Sequence, residues 1–151
     1  MLNPWLLSGA LLLVLAGCTV VAATTGSLAR RAGAQNFATL LICLVLLLLA
    51  QGFARPSYSD AALVLALLGP AGTLVYARLL GPELPATTHR GRFTDLAAVL
   101  LTFAVVLPLC VAAGPGRAAA KLLVTGILLL VGNLVGSSAL RRPARGVVVG
   151  G

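Results

Sequence analysis

Acidic side chains are nearly absent, with 3 Asp and Glu among 151 residues. Charged residues of both signs reach only 9%, against about 25% in a soluble domain. So few polar groups cannot cover the surface of a water-soluble globule. The chain also has a single histidine, His89. Paired carboxylates and nucleophile–histidine pairs therefore find no material, and no Gly-rich phosphate loop, zinc spacing or haem motif appears. The expectation is that the chain is not an enzyme, and that it has no catalytic residue, cofactor or metal site. A self-sufficient proton pump is not expected either, because its path needs buried ionisable side chains. Cysteine is sparse: Cys18, Cys43 and Cys110 are odd in number and lie in apolar stretches. They fit no disulfide framework and read as small packing residues.

What the chain has is apolar length. Hydrophobic residues make up 60% and the mean hydropathy is +1.07. Disordered chains are poor in such residues, so the class is all-α integral membrane protein. Five apolar segments stand out: Trp5 to Ala23, Phe37 to Phe53, Ala61 to Leu80, Leu96 to Ala113 and Ala118 to Leu140. A helix crossing hydrocarbon needs roughly 20 residues. The second segment is the shortest and is expected to extend by a residue or two at each end. The runs are continuously apolar, without the alternation of a membrane barrel.

Polar connections separate them: Ser27 to Gln35, Arg55 to Asp60, the longer Gly81 to Thr94, and the tight Gly114-Pro115-Gly116-Arg117. The net charge of +8 would suggest nucleic acid in a soluble protein. Here the basic residues stand singly or in pairs at the ends of apolar runs, so they read as topology signals. The partners expected are the lipid bilayer and other membrane proteins, not nucleic acid. With the N-terminus outside, the cytoplasmic side holds eight basic residues (Arg30, Arg31, Arg78, Arg90, Arg92, Arg141, Arg142 and Arg145). The outer side holds three: Arg55, Arg117 and Lys121. The positive-inside rule then predicts N-terminus outside and C-terminus cytoplasmic. Leu15-Ala16-Gly17-Cys18 looks like a lipoprotein cleavage site, but residues 1–14 carry no Lys or Arg. The segment is therefore expected to be a first membrane helix.

A few polar or special residues punctuate the spans. Asp60 and Asp95 fall at expected helix mouths, where a carboxylate gains from the macrodipole. Lys121 is placed to snorkel. Pro70 and Pro108 would kink their helices. Gly132-Asn133-Leu134-Val135-Gly136 has the small-xxx-small spacing of close helix packing, with Asn133 able to bond a neighbouring helix.

The first 80 or so residues resemble the F subunit of Mrp-type multisubunit cation/proton antiporters. The resemblance rests on the Arg- and Gly-containing first connection and on Tyr58-Ser59-Asp60-Ala61-Ala62-Leu63-Val64-Leu65-Ala66-Leu67-Leu68-Gly69, followed by Gly72-Thr73-Leu74-Val75-Tyr76-Ala77-Arg78. The chain departs from that family at the mouth of the second helix, where Gln35-Asn36 replaces an Asp-Arg pair, and at Pro70. Residues from Pro115 to Leu123 and the helix after them are similar to the last helix of the G subunit, although that subunit's middle signature is missing. Two organisations stay open: an F-like part fused to a truncated G-like part, or an F-like subunit with two extra helices.

The resemblance implies a three-helix F-like membrane region over 1–80, a connecting loop over 81–93, a two-helix membrane hairpin over 94–140 and a basic tail over 141–151. It implies an accessory subunit of a monovalent cation (sodium)/proton antiporter in the cell membrane. The partners would be the complex's other subunits, the larger of which hold the proton path. Asp60, Gln35 and Asn36 are the candidates for a cation route, and Gly132, Asn133 and Gly136 for helix packing. The alternatives are a scaffolding subunit of a respiratory-type membrane complex and a small stand-alone homo-oligomeric transporter.

Overall fold

The computed structural model describes residues 3–25, 28–80 and 91–141. Five α-helices account for nearly all of them: α1 Pro4–Thr24, α2 Leu28–Gly52, α3 Ser57–Leu80, α4 Gly91–Ala113 and α5 Arg117–Arg141. No strand occurs among the described residues. Each helix is long and apolar enough to cross a membrane. At a rise of about 1.5 Å per residue, the shortest spans about 30 Å of hydrocarbon.

Local chemistry sets the helix ends. The Asn3 side chain accepts from the Trp5 backbone N–H at 3.2 Å, with Pro4 at the first helical position. This pairing satisfies an orphan donor and presets the first turn. At the end of α2, Arg55 N donates to Ala50 O at 3.0 Å and Ala54 N to Gln51 O at 3.3 Å. That is a Schellman cap, and it drives Ala54 to φ 51°, a conformation in which glycine usually serves. After α4 the same role falls to Gly114 at φ 67°. Pro115 then prevents continuation, and the three-residue link 114–116 folds α5 back against α4.

The packing centres on α2, which touches all four other helices. Half of its membrane-spanning stretch is buried, compared with a sixth of α1 or α3. Its Leu41, Cys43, Leu44 and Leu47 are fully enclosed. Helices α2, α3, α5 and α4 form a ring, with α2 and α5 meeting across the middle, and α1 lies along α2 outside it. Asn3 Nδ2 donates to Gly52 O at 3.2 Å. Arg31 Nε donates to Ala23 O at 3.0 Å, so α1 and α2 are tied at both ends. Leu6 packs so closely on Gly52 that an added Cβ would lie 2.6 Å from Leu6 Cδ2.

Two expected boundaries move. Residues 28–35, expected in a connection, form the first two turns of α2. Leu, Ala, Arg and Gln there are good helix formers; the arginines end the apolar stretch without ending the helix. Residues 91–93, expected in the connecting loop, belong to α4; residues 81–90, with His89 and Glu83, lie outside the described residues, as do 142–151. Because α4 starts early, Asp95 falls beyond its first turn, outside the reach of the macrodipole argument.

Candidate functional site

The polar side chains gather at two stations on the α3–α5 seam. The first lies where these helices begin. Asp60, in the first turn of α3, meets Lys121 of α5 with Nζ 2.6 Å from Oδ1. Both side chains are about half exposed, at 60% and 48%, so the pair is worth about 0.2–1 kcal/mol. Beside it opens a cleft of about 190 Å³. Gln51, Ser59 and Lys121 supply its polar lining; Leu47, Ala113 and Leu122 are among its apolar walls.

The second station is buried and joins three helices. Asn36 of α2 donates from Nδ2 to Asn133 Oδ1 of α5 at 3.0 Å. Thr73 Oγ1 of α3 stands 3.4 Å from Asn36 Oδ1 and 3.2 Å from Gly69 O, with its single proton shared between the two acceptors. Asn133 is only 6% exposed, and its Nδ2 is a buried donor without a hydrogen-bond partner. A cavity of about 10 Å³ lies against these groups, lined by Asn36, Thr39, Ala66, Pro70 and Asn133 with leucines around them.

Small residues let the backbones approach here. At Gly132 an added Cβ would overlap the Pro70 ring, coming 3.2 Å from Pro70 Cβ. At Gly69 it would lie 2.8 Å from Thr39 Cγ2. At Gly136 an added Cβ would lie 3.4 Å from the Thr73 methyl, an ordinary contact.

The sequence candidates thus separate. Asn36 and Asn133, chosen for different reasons, are bonded to each other across 97 residues. Gln35 does not join them: it is exposed, and its backbone carbonyl accepts from Thr39 at 3.0 Å. Asp60 stands at the other station, about 20 Å away by helix rise between residues 60 and 73. Asp60, Gln35 and Asn36 therefore do not form one site. Between the stations Ala62, Ala66, Leu122 and Leu129 are buried. Thr125, also buried there, donates its hydroxyl to Lys121 O at 2.8 Å.

Thr73 was not among the sequence candidates. It stood in the resembled Gly72-Thr73 stretch, but polarity alone does not separate it from Thr102, which is also buried and bonds only its own helix, at Ala98 O. The three cysteines are free, and no His, Cys, Asp or Glu cluster able to hold a metal occurs among the described residues.

Residues 29–81 match the family model described as multiple resistance and pH regulation protein F (MrpF / PhaF). The match takes in nearly all of α2 and the whole of α3, and leaves α1, α4 and α5 outside. No curated protein and no solved structure matches the chain.

Proposed function

We propose that this chain, MrpF/PhaF-like over residues 29–81, is an accessory membrane subunit of a multisubunit monovalent cation (sodium)/proton antiporter. It is a multi-pass protein of the plasma membrane. The family match carries the reading, because it spans the two helices that bring Asn36, Asp60 and Thr73 into the bundle. The chemistry supports it. Among the described residues, the spans hold amides and hydroxyls at their buried positions, and no buried carboxylate. Proton transfer through a membrane needs buried titratable groups. The proton path therefore belongs to larger partner subunits, and this chain packs against them.

Within that reading Asp60 is the residue for cation contact. It sits exposed beside a cleft of about 190 Å³ that is large enough for water. Lys121 holds it as an ion pair that a passing cation would compete with. Asn36 is committed to hydrogen bonds between helices, which favours packing over ion contact. Gln35 is exposed and would meet a neighbouring subunit or the lipid headgroups.

The test is recovery of the tagged chain from its native membrane in mild detergent, with mass spectrometry of the proteins that accompany it. Many-helix antiporter-like subunits in near-stoichiometric amount are expected. Recovery of the chain alone, or only with copies of itself, would overturn the subunit reading. Subunits of a respiratory-type complex in their place would assign the chain to that assembly instead. For the cation route, Asp60→Asn in the intact complex should reduce cation-dependent antiport in membrane vesicles. Unchanged transport would remove Asp60 from the route and leave membership of the complex standing.

A further inference from the structure

We propose that the cavity at the α2–α3–α5 joint is a binding site for one water molecule, held between the Asn133 side-chain amide and the Ala66 carbonyl. Three observations converge there. The first is size: about 10 Å³ is about one probe sphere, the room that a single water needs. The second is an unpaired donor. Asn133 is more than nine-tenths buried, lines the cavity, and has Nδ2 without a partner. The third is Pro70 inside α3. Lacking an N–H, it cannot donate to the carbonyl four residues earlier. That carbonyl belongs to Ala66, which is 2% exposed and lines the same cavity.

A water both donates and accepts, so one molecule serves both groups. It accepts from Asn133 Nδ2 and donates to Ala66 O. No lining residue is charged, so an ion would enter without compensation in a low-dielectric setting. Proline inside a membrane helix needs its freed carbonyl satisfied, and the water does this beside the tight fit of Gly132 against Pro70.

The test uses the full-length isotope-labelled chain in lipid bilayers and solid-state NMR transfer of magnetisation from water to side-chain amides. Exposed Gln35 serves as the positive control. A cross-peak from water to the Asn133 amide protons is expected, and it should fall to background in Ala66→Val, whose added methyl groups fill the cavity. Pro70→Ala supplies the N–H at residue 70 that the Ala66 carbonyl lacks and should weaken the cross-peak; it serves as the second variant if Ala66→Val does not fold. A wild-type spectrum with transfer to Gln35 and none to Asn133 would overturn the site. So would a cross-peak that persists in the folded Ala66→Val protein. A shift of the Asn133 resonance when sodium is exchanged for choline would show an ion in place of water and overturn it as well.

Discussion

An asparagine inside a membrane helix must find a partner, because lipid offers none. Asn36 and Asn133 find each other. Interhelical side-chain bonds of this kind contribute about 1–2 kcal/mol in peptides and about 0.6 on average in whole proteins. We expect Asn36→Leu and Asn133→Leu each to lower stability by about 0.6–1.7 kcal/mol. The double variant should lose less than the sum. The measurement is a double-mutant cycle from SDS-driven unfolding in mixed micelles, and strict additivity would show that the bond contributes nothing. Asn36 was legible as a departure from the resembled pattern, and Asn133 as a polar residue between two glycines. Their pairing was not legible, because it depends on how α2 and α5 cross.

At the scale of the helix, two features carry predictions. Ala54 caps α2 at φ 51°, where a Cβ crowds the backbone. Ala54→Gly should relieve that strain and raise stability by about 0.5–1 kcal/mol, after the entropy that glycine adds to the unfolded chain. Thermal unfolding in detergent would register the gain, and a loss would show that the cap is not strained. The second feature is the fit of Pro70 against Gly132. Gly132→Ala should cost about 1–3 kcal/mol by overpacking. Removing the ring with Pro70→Ala should recover most of that loss in the double variant, so a pair of purely additive losses would mean that the two residues do not touch. Neither feature was readable from periodicity. The small-xxx-small spacing marked Gly132 as a close-approach position without naming what approaches, and the αL cap falls on alanine, which carries no turn signal.

Across the whole molecule, α2 is the buried hub and α1 its outlying companion. Leu11, Val14 and Val21 on α1, and Leu100, Leu107 and Val111 on α4, are exposed. Lipid or neighbouring subunits cover them in a membrane. Helices α3 and α5 start at one end of the bundle with Asp60 and Lys121 paired, and the Asn36 joint lies toward the other. The excess of basic residues at that second end leads us to expect it in the cytoplasm. A fluorescent protein fused after Gly151 should therefore fluoresce, and alkaline phosphatase at the same place should be inactive. The reverse pattern would invert the topology.

The sequence by itself determined the class, the number of spans and their approximate limits. Those follow from how many consecutive residues avoid water, a property of composition along the chain. It also determined where charge could not lie, since carboxylates are almost missing. Helix ends were less accessible, because an apolar run stops where hydrocarbon stops, whereas α2 continues through Arg30 and Arg31. Only the tertiary structure decided which polar residues meet. Asp60 with Lys121 and Asn36 with Asn133 are separated by 61 and 97 residues. Their meeting depends on crossing geometry, set by where glycine lets one backbone approach a proline or a threonine on the next helix.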